Sequence, residues 1–232
     1  MIEMDENTRN ARKTRKIRKP ARRYHIGNAQ SIGKMEIQSN YFAASVTPDF
    51  ASAAVADGGI DHINGRTAAV IAVEKMMAAL SGGILSREHF LEITEGAAKN
   101  IIRAVKDYMY RGRTPSLSLS AICISEGAAY YYIVGDVRIY VYNDRNIRDI
   151  NGLGPGGVYH VKSGDNFMLV SRGGYEALAP VEMLQFLRGE EKKYGRSGEG
   201  AYYKAVGLVG EADRKNMNHA GNTTVVLLEG VD

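Results

Sequence analysis

The sequence predicts an α+β domain in which β-sheets pack on each other inside and on helices outside. Three observations lead to this prediction. Two strand-like segments come first, two long amphipathic helices follow, and a run of short apolar strands comes next. Those short strands are apolar on both faces, which is typical of sheets covered on both sides. Strands, then paired helices, then strands are the order found in layered α+β domains.

The first strands and helices are delimited by turn and cap residues. Strands are expected at residues 41–46 and 52–57, separated by the turn-forming sequence Thr-Pro-Asp. The first helix ends at a Gly-Gly pair, and the second begins after Ser86, a candidate N-cap. Each helix carries apolar residues at helical spacing. They are Val70, Val73, Met77 and Leu80 in the first helix, and Phe90, Ile93, Ala97, Ile101, Val105 and Tyr108 in the second.

The second half of the chain is rich in short strands. Four of them are predicted to form one antiparallel meander, because turn residues separate them; they are residues 117–125, 128–134, 138–142 and 147–150. Further strands are expected at residues 167–171 and 223–228. Helices are expected at residues 180–187 and 201–208, and the charged segment 190–199 is expected to be a loop.

Charge divides the chain into a basic tail, residues 1–23, and a domain, residues 24–232. The tail holds nine of the 30 Lys and Arg residues but three of the 26 acidic residues, which leaves a formal charge of −2 on the domain. The domain therefore has no general basic field for nucleic acid, and no sequence-specific nucleic acid binding is expected. We expect the tail to be a solvated, disordered terminus. Contact with RNA, an acidic partner or an anionic membrane surface is the alternative.

Cysteine content and hydropathy indicate a location. The chain has one cysteine, Cys123, which lies in an apolar strand pattern and is interpreted as a small buried residue rather than a nucleophile. No apolar run approaches the length of a membrane span, and no secretory signal opens the sequence. The cytoplasm is therefore the expected location.

Five short motifs follow one another along the chain. In chain order they are the segment 33–41, Val-Ala-Asp-Gly at 55–58 with His62 and Gly65 after it, Val-Gly-Asp-Val-Arg at 134–138, the segment 164–173, and Gly-Asn-Thr-Thr-Val at 221–225. In this order the motifs resemble those of the metal-dependent Ser/Thr protein phosphatases of the 2C type, the PPM fold. The resemblance covers about residues 24–229.

The resemblance implies a four-layer α-β-β-α sandwich with a two-metal site at one end. In that family Mg²⁺ or Mn²⁺ activates a bridging water for attack on phosphoserine or phosphothreonine. Carried over by position, Asp57 is the bridging ligand, and the main-chain carbonyl of Gly58 is a second ligand. The mobile flap of many bacterial relatives is expected to be absent or minimal, because residues 143–165 leave room for little more than a hairpin and a loop.

The expected carboxylates are largely missing. Ser39-Asn40 replaces Glu-Asp, Arg172 replaces the Asp of the S-D-G motif, and Gly221 replaces the Asp before Asn222; Met35 also stands where a phosphate-binding Arg is expected. Two unit charges about 4 Å apart interact by roughly 4 kcal/mol at an effective dielectric constant near 20. An Arg in place of an Asp therefore opposes a dication. We expect no bound cofactor and an ion pair between Arg172 and Asp57 in the vacated site.

Two interpretations of function remain open. The first is a catalytically inactive phosphatase-like module that binds or regulates a protein partner, such as a phosphoprotein or a Ser/Thr kinase. The alternative is an active Mg²⁺- or Mn²⁺-dependent Ser/Thr phosphatase with a reduced site, in which Asp61 or Asp136 joins Asp57 and Gly58. Asp136 is interpreted first as a hairpin-turn residue, and Asn222 as a residue that caps the final turn. A scaffold that docks through the basic tail is compatible with the first interpretation.

Overall fold

Two antiparallel five-stranded sheets form the centre of the chain, and helices cover both outer faces. The computed structural model describes residues 23–59, 63–84, 86–108, 115–151, 155–215 and 221–231. The strands are β1 (Arg23–Ser31), β2 (Asn40–Val46), β3 (Phe50–Asp57), β4 (Ser118–Ser125), β5 (Ala128–Val134), β6 (Arg138–Tyr142), β7 (Ile147–Asp149), β8 (Gly156–His160), β9 (Asn166–Val170) and β10 (Thr223–Val231). The helices are α1 (Ile63–Leu80), α2 (Arg87–Asp107), α3 (Arg172–Ala177), α4 (Pro180–Tyr194) and α5 (Gly198–Lys215).

The sheets and helices form four layers. The first sheet has the strand order β1-β10-β9-β6-β7, and the second has the order β2-β3-β4-β5-β8. One apolar cluster fills the space between the sheets, with Val55 and Ile122 from the second sheet and Leu169 and Val226 from the first. A second cluster lies between the second sheet and helices α1 and α2. A third lies between the first sheet and helices α3 to α5, so the predicted α-β-β-α sandwich is confirmed.

Local sequence explains the outer helices. The Ser86 side chain accepts a hydrogen bond from the His89 N–H at 3.1 Å, which confirms the predicted N-cap of α2. The apolar stripe of α2 faces the second sheet, and Phe90 and Ile101 are buried there. Among the residues described, no helix is both long and apolar enough to cross a membrane.

The predicted single meander is wrong. Strands β4 and β5 form a hairpin in the second sheet, but β6 and β7 pair in the first sheet. The chain changes sheets at Gly135, which has a φ of +77°, and a Cβ there would lie 2.4 Å from the Ser118 hydroxyl. All four strands are apolar, and nothing in that pattern tells which sheet a strand will join.

The loop expected at residues 190–199 is also wrong. Helix α4 continues to Tyr194, and α5 begins at Gly198. Glu and Lys have high helix propensity, and Glu190 pairs with Lys193 three positions later, so the charged segment favours a helix. Helices α4 and α5 extend beyond their predicted ends and together cover the first sheet.

Two strands, β1 and β8, were not predicted. Strand β1 pairs with β10 along its whole length, from Arg23 opposite Val231 to Ser31 opposite Thr223. Arg23 thus belongs to a strand rather than to the tail, and residues 1–22 lie outside the described residues. Strand β8 adds to the edge of the second sheet beside β5, within the segment where a flap would be inserted.

Candidate functional site

A row of polar residues crosses one end of the second sheet. Asn40 at the start of β2 lies opposite Asp57 at the end of β3, and Asp57 lies opposite Ser118 at the start of β4. Side chains directly opposite in an antiparallel pair share a face of the sheet. Val55, two residues before Asp57, belongs to the cluster between the sheets. The row therefore forms the rim of the inter-sheet core at this end.

The turn after β3 fixes the position of Asp57. One Asp57 carboxylate oxygen accepts a hydrogen bond from the Gly59 N–H at 2.8 Å, and the Gly58 N–H donates to the Ser39 carbonyl at 3.2 Å. A Cβ on Gly58 would lie 2.0 Å from the carbonyl oxygen of Gly65, in the first turns of α1. Only glycine at position 58 allows the turn to pack this closely on the helix.

The two sheets are joined at this end by neutral hydrogen bonds, in a group that we call the Asn222 cluster (Ser39, Asn40, Ser171, Asn222 and Thr224). The Asn222 Oδ1 atom accepts from the Ser39 N–H at 2.7 Å and from the Ser39 hydroxyl at 2.6 Å. The Asn40 side-chain amide donates to the Asn222 carbonyl at 3.1 Å, and the Ser171 hydroxyl oxygen accepts from the Thr224 N–H at 2.8 Å. Asn222, which directly precedes β10, thus binds Ser39 in the segment before β2, a contact that the predicted role as a cap did not include.

Asn40 is under-satisfied where a carboxylate was expected. It is fully buried, and its Oδ1 atom has no hydrogen-bond partner among the described residues. Its main-chain carbonyl accepts from Arg66 and from the Gln30 side chain, which also donates to Thr224 Oγ1 at 3.1 Å. A buried amide oxygen without a partner is costly, so this position carries unused acceptor capacity.

The electrostatic environment of Asp57 favours its protonated form. Burial raises the pKa of Asp57, and the Gly59 hydrogen bond and the Arg172 charge offset only part of that effect. The charge of Asp136 raises the pKa further. The Asp57 carboxyl group therefore ionises less readily than that of an ordinary surface aspartate.

The expected ion pair between Arg172 and Asp57 is not formed, so this prediction is wrong. Arg172 Nε lies 2.7 Å from Glu176 Oε1, and Arg172 NH1 lies 4.0 Å from Asp136 Oδ2. Arg172 opens helix α3, where a residue four positions later lies on the same helix face. Its side chain is 56% exposed, so it reaches Glu176 without leaving water, whereas Asp57 lies deeper and is already hydrogen-bonded.

The remaining predicted residues are spread around this end. Asp136 is an exposed turn residue between β5 and β6, and its N–H donates to the Ser118 hydroxyl at 2.9 Å. A Cβ on Gly221 would meet no described atom within 4 Å, so alanine fits at this position. Met35 is half-buried in the loop after β1, whereas Asp61 lies outside the described residues. Within the described residues, no group of three or more His, Cys, Asp or Glu side chains is arranged to hold a metal ion.

The sequence did not indicate several residues that shape this end. Ser39, Ser171 and Gln30 are ordinary polar residues in the sequence, and they acquire a role only because strands from both sheets meet here. For Arg66, the one sequence feature that pointed to this end of the sandwich was its place directly after Gly65 of the second motif.

Comparison with known proteins identifies the architecture. No protein-family model and no curated protein sequence matches the chain. Among solved structures, PppA, a regulatory component of the type VI secretion system of Pseudomonas aeruginosa, matches with a TM-score of 0.73 at 16% identity, over 92% of this chain and 100% of that one. The Mycobacterium tuberculosis Ser/Thr phosphatase PstP matches with a TM-score of 0.70 at 15% identity, over 89% of this chain and 98% of that one. The chain has the fold of the PPM-type Ser/Thr phosphatases.

A third structure with the PPM fold, the Streptococcus agalactiae Ser/Thr phosphatase, matches with a TM-score of 0.73 at 14% identity, over 89% of this chain and 99% of that one. The catalytic domain of PstP has been solved with two manganese ions. At these identities the PPM fold is what the proteins share, and the chemistry of each site depends on its own side chains.

Proposed function

We propose that this chain is a catalytically inactive PPM-fold module that regulates or binds a protein partner. One observation supports the proposal above the others: at the end of the sandwich where Asp57 lies, Asn40, Arg172 and Gly221 occupy the three positions at which the motif resemblance leads us to expect carboxylates. Hard dications such as Mg²⁺ and Mn²⁺ bind chiefly through carboxylates and water.

The hydrogen bonds at this end support the same proposal. In the Asn222 cluster, uncharged groups connect the segment before β2 to β10. The contacts that join the two sheets here are made by neutral groups, which is what we expect of a site that no longer binds a metal ion. Arg172 adds a positive charge close enough to influence Asp57, which would oppose a second positive ion.

The test is hydrolysis of para-nitrophenyl phosphate with saturating Mn²⁺, with the wild type beside Asp57→Asn. Asp49→Asn is the matched control, because Asp49 lies in the exposed turn at the other end of β3. We expect the three proteins to be equally inactive. Turnover by the wild type and by Asp49→Asn that disappears in Asp57→Asn would overturn the proposal.

A rebuilt site provides the positive control. The combined variant Asn40→Asp, Arg172→Asp and Gly221→Asp places carboxylates at three positions, and a Cβ at Gly221 meets no described atom within 4 Å. We expect this variant to bind Mn²⁺ in isothermal titration calorimetry, whereas the wild type does not. Equal Mn²⁺ affinity of the two proteins would contradict our explanation of the lost site.

We also propose that the partner carries a phosphoserine or phosphothreonine that Arg172 contacts. The Arg172 side chain is more than half exposed, and its partner Glu176 is also exposed. An exposed ion pair contributes about 0–1 kcal/mol, so a phosphate dianion could displace Glu176. PppA is described as a regulatory component of a secretion system, and another structure with this fold belongs to the bacterial stressosome, which is consistent with a regulatory role.

Fluorescence anisotropy with a library of phosphoserine peptides tests this contact. We expect binding to a subset of peptides, loss of that binding without the phosphate, and a decrease of about tenfold in Arg172→Gln. Arg188→Gln, on the surface of α4, is the matched control. Peptide binding that ignores the phosphate, or that Arg172→Gln leaves unchanged, would contradict the role of Arg172.

The alternative is an active metal-dependent phosphatase with a reduced site. The charge of Asp136 raises the pKa of Asp57, so the two carboxylates lie near each other, which is the observation that favours it. Under this alternative, Asp136→Asn would abolish Mn²⁺-dependent turnover together with Asp57→Asn.

A further inference from the structure

An open cavity of about 420 Å³ lies between helices α1 and α2. Its size falls within the range of small-molecule sites in proteins, about 300–1,000 Å³. Helix α1 contributes a polar end with Arg66 and an apolar wall with Val70 and Ile71, and the other helix contributes Ala104 and its C-cap residue Tyr108. None of these residues stands at a metal-ligand position of the PPM fold, so this cavity is distinct from the site described above.

Arg66 gives the cavity a fixed positive charge. Its guanidinium group lies over the ring of Tyr41 at 4.7 Å and donates a hydrogen bond to the main-chain carbonyl of Asn40. These contacts hold the side chain in place, but the group has five N–H donors and neither contact neutralises its charge. Within the part of the chain that the structure describes, Arg66 has no carboxylate within salt-bridge distance.

The rest of the lining is apolar or balanced in charge. Val70, Ile71 and Ala104 present aliphatic surface, and the Tyr108 side chain is largely exposed. At the rim, Glu74 and Lys75 are both exposed and carry opposite charges. Arg66 therefore determines which sign of charge the interior of the cavity attracts.

We propose that this cavity binds a small organic anion, with its phosphate or carboxylate group on Arg66 and its apolar part against Val70, Ile71 and Ala104. The fork of guanidinium donors matches both kinds of oxyanion, and a partly buried cation strengthens the contact relative to one in water. The ring of Tyr108 lies at the edge of the cavity, where a flat apolar group can pack on it.

An anion bound at Arg66 would affect the candidate site through Asn40. Arg66 donates to the carbonyl of Asn40, and Asn40 lies opposite Asp57 in the sheet. An anion that draws the guanidinium group toward itself competes with that hydrogen bond. The ligand would then alter the start of β2, where the two sheets are joined.

The test is a titration of the ¹⁵N-labelled full chain, followed by NMR, with phenyl phosphate, benzoate and benzyl alcohol as probes. We expect saturable shifts of the amides of residues 66–75 and 104–108 with at least one anion, and none with the neutral alcohol. Comparison of the two anions identifies whether phosphate or carboxylate is preferred. Shifts confined to the turn around Asp57, no saturable shift, or an equal response to benzyl alcohol would each overturn the proposal.

Variants localise the binding. Arg66→Met keeps the length of the side chain and should weaken binding by about tenfold or more. Arg103→Met, the same exchange at an exposed position of α2 outside the cavity, should leave the affinity unchanged. Ala104→Phe should block the cavity while Arg66 stays in place, so it decides the matter if Arg66→Met fails to fold. Unchanged binding in Ala104→Phe, or equal losses in Arg66→Met and Arg103→Met, would refute the site.

Discussion

Replacement of Lys204 by methionine should destabilise the fold strongly, because it leaves a buried carboxylate without its cation. Lys204 is 0% exposed, and its Nζ atom lies 2.9 Å and 2.8 Å from the two carboxylate oxygens of buried Glu229. The Tyr142 hydroxyl donates to the same carboxylate at 2.7 Å, and Glu191 lies 3.8 Å from Lys204. The pKa of Tyr142 is raised by burial and by Glu229, so the hydroxyl remains a donor.

The magnitude follows from these distances. At 2.8 Å and an effective dielectric constant of about 20, the attraction between two unit charges is about 6 kcal/mol. Dehydration of the two ions costs several kcal/mol each, so the intact pair contributes little net stability. Removal of one partner leaves the dehydration of the other uncompensated, which costs about 3–5 kcal/mol.

Urea denaturation of four proteins measures this coupling: the wild type, Lys204→Met, Glu229→Gln and the double variant. Glutamine keeps an oxygen for the Tyr142 hydroxyl, so the exchange removes the charge alone. We expect each single variant to lose about 3–5 kcal/mol and the double variant to lose much less than their sum. Additivity of the two losses within about 0.5 kcal/mol would refute the reasoning.

Three further predictions concern single positions. Because burial raises the pKa of Asp57, its ionised form costs stability above that pKa; Asp57→Asn should raise the urea midpoint at pH 7, with no gain below about pH 4, where the unfolded chain is also protonated. Burial raises the pKa of Cys123 to about 12, so iodoacetamide at pH 8 should modify only the unfolded protein. Gly27→Ala should cost about 3 kcal/mol or more in thermal denaturation, because its Cβ would lie 1.9 Å from the Ala201 carbonyl oxygen; Gly210→Ala, with open space, is the control.

Local sequence was a good guide wherever a motif determines its own geometry. The turn at Asp57-Gly58 and the N-cap at Ser86 depend on residues within a few positions of each other, and both were predicted. The layered fold followed as well, because apolar strands and amphipathic helices leave few ways to bury their faces.

The features that could not be predicted from the sequence depend on contacts between residues that are distant in the chain. Strands β5 and β6 are both apolar, so their placement in different sheets has no local signature. The predicted partner of Arg172, Asp57, was wrong. The loss of a carboxylate from a site does not determine the direction of an exposed arginine side chain, and Arg172 instead pairs with Glu176, one helical turn away. The Asn222 cluster joins residues more than 180 positions apart, and no spacing rule reaches that far.

The antiparallel pairing of β1 with β10 determines where the ends of the domain lie. Arg23 is opposite Val231, and at the other end of this nine-residue strand Ser31 is opposite Thr223, next to the Asn222 cluster. Nine strand residues span about 30 Å, so any polypeptide before residue 23 joins the domain that far from the candidate site, beside the point where β10 ends. The domain could therefore be inserted whole into a surface loop of another protein, or circularly permuted, without strain at the site. A partner that contacts both the site and Arg23 would have to extend about 30 Å along the sandwich.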